Sequence, residues 1–180
     1  MRIYDLLYKW YYLQEHGGYS YALRWASLKG HVKAIKLLLE DPRVDPADDD
    51  NFAIQHASRN GYTKIVRLLL EDSRVDPSAC NNFAIEWASE NGHADVIRLL
   101  LADNRVDPSS LNNEAIRLAS ENGHTKVVQL LLEDSRVKQT LDSKKAIREA
   151  KQNGQMEMVR IFTEHLYRLD GPIYNKGIIN

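Results

Sequence analysis

The chain repeats one 31-residue unit five times. An alanine recurs at the same offset in every copy, and a glycine follows eight residues after each alanine. An apolar block comes next, and in three copies the tetrapeptide Arg-Val-Asp-Pro closes the unit. A unit this short cannot bury an apolar face alone, so neighbouring units must stack and share a core. The repeat therefore predicts a solenoid, with its alanines at Ala22, Ala53, Ala84, Ala115 and Ala146.

Each unit predicts two short helices joined by a turn. In the second copy, Asn51 precedes the first apolar position, where its side-chain oxygen is expected to cap the first helix. The Asn60-Gly61 pair is typical of a left-handed helix end. The second helix, about residues 63–71, is apolar most of the way round, which predicts burial between two neighbouring units. The Val-Asp-Pro segment then predicts extended chain followed by a loop or a loose hairpin tip.

The second-helix segments GHVKAIKLLL, GYTKIVRLLL, GHADVIRLLL and GHTKVVQLLL resemble the signature of ankyrin repeats. The resemblance covers roughly residues 20–169 and implies an all-α, ankyrin-type α-solenoid of helix-turn-helix repeats with short hairpin-like loops. Two features depart from the family pattern. The period is 31 residues where about 33 is usual, and FAIQ, FAIE or EAIR replaces the Thr-Pro-Leu-His opening. This variant is similar to the ankyrin arrays of large DNA viruses of amoebae.

Both ends of the chain suggest a complete array. One period before Leu37 lies Leu6, within an amphipathic segment that predicts an N-terminal capping half-repeat. In the last copy, Glu149 and Lys151 replace less polar residues, as expected where an end repeat meets water. The tail either frays or folds back, and the sequence favours neither. The predicted units are a cap at 1–19, five repeats at 20–50, 51–81, 82–112, 113–143 and 144–169, and a tail at 170–180.

Composition and charge exclude several classes of partner and cellular location. The net charge of −1 lacks the basic excess that phosphate binding requires, so we expect no nucleic-acid partner. The single cysteine, Cys80, fits a reducing compartment. No apolar run is long enough to span a membrane, and charged residues interrupt any N-terminal secretory signal. These features predict a cytoplasmic protein, located in the host cytoplasm if the chain is viral.

Catalytic chemistry is not indicated. His31, His93 and His124 recur one period apart, about 10 Å in a helix stack, whereas zinc ligands lie about 2 Å from the metal. They are predicted to be turn histidines bonded between units. The repeated Glu-Asp pairs are interpreted as solvated helix ends, and residues 48–50 lack the pattern of a calcium loop. We expect no catalytic residue, cofactor or metal, and a non-enzymatic protein.

Positions that vary between copies are the candidates for partner binding. One residue before the repeated alanine, and three and six residues after it, share one face of the first helix. That face is aromatic through three copies and then acidic and polar. Aromatic residues beside charges are typical of interface hot spots. Packing in the core between adjacent helices is the alternative role for them. The candidates are Tyr21, Trp25, Phe52, His56, Arg59, Phe83, Trp87, Glu90, Glu114 and Glu121.

These residues predict a monomeric module that presents a concave surface to a protein partner of unknown identity. Two alternatives remain open. In one, the chain is an adaptor that recruits a second factor through residues 170–180. In the other, it is a structural protein that associates with itself.

Overall fold

A computed structural model describes residues 18–170 of the chain. Within this range the chain forms eleven helices and no strand, which confirms the predicted all-α class. The helices are α1 (Gly18–Lys29), α2 (Val32–Leu39), α3 (Asp48–Arg59), α4 (Thr63–Leu70), α5 (Ala79–Glu90), α6 (Ala94–Leu101), α7 (Ser110–Glu121), α8 (Thr125–Glu133), α9 (Ser135–Thr140), α10 (Ser143–Gln152) and α11 (Met156–Asp170). Most of the predicted cap at 1–19 and of the tail at 170–180 lies outside the described residues.

The helices stack in two rows, as the repeat requires. The first helix of each repeat packs on the first helix of the next, which orders α1, α3, α5, α7 and α10. The second helices α2, α4, α6, α8 and α11 form the other row in the same way. Small residues such as Ala57 and Ala88 are fully buried and allow the first-row helices to approach closely. In the second row, Ile65 and Leu69 have no exposed surface.

Each first helix ends at a glycine with a left-handed backbone, as predicted. Gly61 has a φ of 71° and Gly92 a φ of 75°, a region that costs a residue with a Cβ about 1–2 kcal/mol. The next repeat adds a second constraint, because a Cβ on Gly61 would lie 2.6 Å from Nδ1 of His93. Both the local turn and the neighbouring repeat therefore require glycine here.

The predicted asparagine cap of the first helix is wrong. Residues 49–51 all have left-handed dihedral angles, with φ between 53° and 65°, and α3 takes helical geometry only after them. The side chain of Asn51 reaches the following repeat, where its Oδ1 accepts a 2.7 Å hydrogen bond from the backbone N–H of Asp76. Asn82 accepts an equivalent bond from the N–H of Asp107. These asparagines join one repeat to the next from within a left-handed turn.

The repeated Asp-x-Arg segments also join repeats. Of the Glu-Asp pairs interpreted as solvated helix ends, Glu71 and Glu133 are exposed, whereas the aspartates bind arginines. In the second copy, the guanidinium of Arg74 binds both carboxylate oxygens of Asp72, at 3.0 and 2.6 Å. Its Nη1 then donates a 2.9 Å bond to the backbone carbonyl of Val44, in the previous repeat. Arg105 and Arg136 repeat this contact with Val75 and Val106. The carboxylate holds an arginine that ties consecutive repeats together.

The end of the fourth repeat departs from this pattern. Its Val-Asp-Pro segment is absent, and without that proline residues 135–140 form the extra helix α9. Asp134 caps α9 by accepting a hydrogen bond from the N–H of Arg136. The following helix α10 packs chiefly on α11 and approaches α7 less closely than the other first-row helices approach one another. Ser120 on α7 is consequently half-buried, whereas the equivalent Ser89 is fully buried.

Candidate protein-binding surface

Four aromatic rings form a continuous strip across α3 and α5. The Phe52 ring stacks on His56 with centroids 3.7 Å apart. His56 meets Trp87 edge to face at 5.2 Å, and Trp87 stacks on Phe83 at 5.3 Å. We call Phe52, His56, Phe83 and Trp87 the aromatic strip. The structure thus brings together candidates from two repeats that lie 31 residues apart in the sequence.

The aromatic strip is partly accessible. All four of its side chains are half-buried, so each packs on a neighbour and keeps a part of its surface exposed. Tyr21, one repeat earlier, is 42% exposed. Half-buried aromatic rings combine a fixed position with accessible apolar area. Trp25 is also half-buried, and its ring lies 5.0 Å from that of His31.

Arginines flank the strip. The Arg59 guanidinium lies 5.3 Å from the Trp87 ring centroid. Arg24 lies 5.5 Å from the Tyr21 ring and 5.9 Å from the Phe52 ring, and its Nη1 forms a 2.5 Å ion pair with Asp49. The sequence candidates did not include Arg24. A sequence signal for Arg24 was available, because its position in the repeat, two residues after the repeated alanine, is polar in every copy. That position carries Arg24, Gln55, Glu86, Arg117 and Arg148.

His56 is held in its neutral form. Burial lowers the pKa of its imidazole below the usual value, and the nearby charge of Arg59 lowers it further. The carboxylate of Asp49 opposes this shift. At neutral pH the ring therefore contributes to the strip as an uncharged aromatic group.

Beyond the strip the surface becomes acidic. The guanidinium of Arg117 forms ion pairs with Glu114 and Glu121 on its own helix, with the Glu121 contact at 2.5 Å. Glu90, on the preceding first-row helix, is exposed. Beside them lies Glu86, a residue that sequence reasoning missed. We call Glu86, Glu90, Glu114 and Glu121 the acidic cluster.

Glu86 is a buried carboxyl group at the floor of this cluster. It is only 5% exposed, and its Oε1 has no hydrogen-bond partner among the described residues. Burial, together with the charge of Glu114, raises the pKa of Glu86 to about 7, and Arg117 opposes that shift. At the equivalent position of the preceding repeat, Gln55 donates a 2.6 Å hydrogen bond to the carbonyl of Asp50. Glu86 thus occupies a site where the preceding repeat uses a neutral side chain.

Two of the three turn histidines bond between repeats, as predicted, whereas Nε2 of His31 has no hydrogen-bond partner among the described residues. His93 Nε2 lies 2.9 Å from the carbonyl oxygen of Arg59, one repeat away. His124 makes the same contact with the carbonyl of Glu90. Within residues 18–170 no group of three or more His, Cys, Asp or Glu side chains is arranged to hold a metal ion. Over the same range, no helix combines the length and the apolar character needed to cross a membrane.

The gap between α7 and α10 forms a groove of about 480 Å³. Charged side chains of both signs line it, among them Arg117 and Glu121 from α7 and Lys145 and Glu149 from α10. Glu149 and Lys145 lie 3.8 Å apart in an ion pair.

The stacked helix pairs with glycine turns define a class of helical repeat protein, and the comparisons identify it. A family model described as ankyrin repeats (3 copies) matches residues 6–81 and 23–112, which together make up more than half of the chain. The chain therefore belongs to the ankyrin repeat family.

A solved structure shows the same fold. The chain matches the crystal structure of an ankyrin repeat domain from Acinetobacter baumannii AYE with a TM-score of 0.67 and 24% sequence identity. The match covers 80% of this chain and 80% of that one. No curated protein matches the chain. Ankyrin repeats are generally protein-interaction modules.

Proposed function

We propose that this protein is a non-enzymatic binding module that presents its first-row helices to a protein partner. The observation that carries the proposal is the aromatic strip, whose four rings pack on one another and remain half-exposed. Aromatic and arginine side chains supply most of the binding energy in interface hot spots. Here Arg59 lies over Trp87, at the edge of the strip.

The stacked repeat supports a mechanism of rigid display. The strip is held by helices whose opposite faces are buried, so its side chains lose little conformational freedom on binding. Glycine turns, arginine contacts and asparagine contacts fix each repeat against the next. Tyr21, Trp25 and the glutamates of the acidic cluster extend the candidate surface on either side. A standard interface needs about 800 Å² from each partner.

The test uses a double variant, Phe52→Ala with Phe83→Ala, in the full chain. Wild type and variant are each used to capture proteins from the native cell, and captured proteins are quantified by mass spectrometry. Leu37→Ala is the control, because Leu37 is 70% exposed on the second-row helix α2. A partner whose capture falls about tenfold with the double variant and not with the control supports the proposal. Equal capture by all three proteins, at unchanged helix content, contradicts it.

Finer features of the function are also proposals. We propose that the protein acts as a monomer in the cytoplasm, the host cytoplasm if the similarity to arrays of large DNA viruses of amoebae reflects its origin. The net charge of −1 supports a protein partner over a nucleic acid. Self-association would appear as a molar mass that rises between two concentrations in light scattering. The alternative adaptor role depends on residues 170–180, which lie almost entirely outside the described residues.

A further inference from the structure

We infer that the partner presents a lysine or arginine to the acidic cluster, a few residues from the apolar or aromatic side chain that lies on the aromatic strip. This inference rests on the proposed function and specifies the chemistry of the partner. Two features support it, the charges of α5 and α7 and the burial of Glu86.

The acidic cluster has an excess of negative charge. Four glutamates lie on the adjacent helices α5 and α7, and Arg117 is engaged with two of them, Glu114 and Glu121. Glu90 is exposed and lies outside these ion pairs, so at least one carboxylate is available to a partner. A cation that approaches this surface meets a net attractive field.

Glu86 provides an independent sign of a missing cation. Its carboxyl group is buried with one oxygen lacking any hydrogen-bond partner among the described residues, a costly arrangement. The charged groups that act on it come from α7, namely Glu114 and Arg117, and α3 and α6 contribute none among the described residues. Because Arg117 is shared by Glu114 and Glu121, the local charge is not balanced. A second cation beside Glu114 would offset part of this excess.

A side chain of the partner fits this role better than a metal ion. Within the described residues the carboxylates do not converge on one point, as metal coordination requires. Lysine and arginine bind separate carboxylates through several N–H donors. Adjacent helices lie about 8–10 Å apart, a distance that about three residues of extended chain cover. We therefore place the basic residue three or four positions from the apolar anchor.

The experiment selects ligands from random sequences, so the natural partner need not be identified first. Random 12-residue peptides displayed on phage are selected against the full-length protein, and enriched peptides are synthesised and measured by calorimetry. The expected peptides carry a lysine or arginine three or four positions from an aromatic or apolar residue. Replacing that basic residue by norleucine should weaken binding to the wild type about tenfold.

The double variant Glu90→Gln with Glu114→Gln should bind the original peptide about tenfold more weakly than the wild type does. Replacing the basic residue of the peptide by norleucine should not weaken binding to this double variant any further, because both changes remove the same interaction. Glu71→Gln, an exposed change on the second-row face, is the matched control and should have no effect. Independent effects of the norleucine and glutamine changes would overturn the inference.

The proton on Glu86 gives a readout that surface charge alone would not. A cation beside Glu114 favours ionised Glu86, so binding at pH 7 should release up to about half a proton. Calorimetry in two buffers of different ionisation enthalpy measures this release. Glu86→Gln should abolish the release and still bind the peptide. Equal proton release from wild type and Glu86→Gln would contradict the assignment of Glu86.

The two proposals fail in different ways. Peptides that bind through the strip, lose affinity in the Phe52→Ala and Phe83→Ala double variant, and contain no basic residue would overturn this inference alone. Peptides that bind the wild type and that double variant with equal affinity would overturn both the proposed function and this inference.

Discussion

Gly92 and Gly123 occupy equivalent turns but face different neighbours. Both have left-handed backbones, with φ of 75° and 74°. A Cβ on Gly92 would lie 2.6 Å from Nδ1 of His124, whereas a Cβ on Gly123 would meet nothing within 4 Å. The comparison separates the cost of the backbone conformation from the cost of the contact between repeats.

We expect Gly123→Ala to lower the free energy of unfolding by about 1–2 kcal/mol, the cost of a left-handed alanine. Gly92→Ala should cost at least about 1 kcal/mol more, because it also displaces His124 from its bond to the carbonyl of Glu90. Urea denaturation of both variants measures the difference. Equal losses would mean that the histidine ring moves aside at no cost.

Glu86 makes stability depend on pH. Its pKa is about 7 in the folded chain and about 4.5 in the unfolded chain. Between these values the folded state holds a proton that the unfolded state has released. Stability from this group is therefore greatest below about pH 4.5, falls as pH rises, and levels off above about pH 7. The total change is at most about 3 kcal/mol.

Glu86→Gln should remove this part of the pH dependence and raise stability at pH 8. Gln55 shows that the neutral side chain fits the equivalent position. Denaturation at pH 5 and pH 8 measures both effects, and Glu71→Gln is the control. A pH dependence that persists unchanged in Glu86→Gln would contradict the assignment.

Single residues of this kind were only partly predictable. The turn glycines and histidines recur in phase, so their structural roles follow from one repeat. The burial of Glu86 depends on Glu114 and Arg117 in the following repeat, which differ from copy to copy. Comparing the residues at one position of the repeat across the five copies does not reveal that environment.

At the scale of elements, the second-row helices were predictable because their burial follows from stacking. Leu69 on α4 is fully buried, and Leu37 on α2 is 70% exposed. We expect Leu69→Ala to lower the free energy of unfolding by about 2–5 kcal/mol. Leu37→Ala should change it by less than about 0.5 kcal/mol. A similarly small loss for Leu69→Ala, measured by chemical denaturation, would show that α4 is not sandwiched between its neighbours.

The starts of the first-row helices were not predictable from the local pattern. An asparagine before an apolar run is typical of a helix cap. Asn51 instead lies in a left-handed turn and bonds to Asp76 of the following repeat. Helix α9 was missed for a different reason, since the repeat pattern by itself predicts the same loop in a copy that lacks Asp-Pro. Asp134, a good cap residue directly before it, was the available signal.

For the whole molecule, arginine contacts connect the repeats, and we expect them to set how cooperatively the repeats unfold. Arg105 lies near the middle of the array, where its Nη1 donates a 2.6 Å bond to the carbonyl of Val75. In a repeat protein, stability is the sum of repeat and interface terms, so weakening one interface lets the two sides unfold separately. We expect Arg105→Ala to broaden or split the denaturation transition and to increase hydrogen exchange on both sides of the interface. Arg67→Ala, an exposed change on α4, is the control. One sharp transition for Arg105→Ala, merely shifted in midpoint, would mean that the asparagine and histidine contacts alone keep the array cooperative.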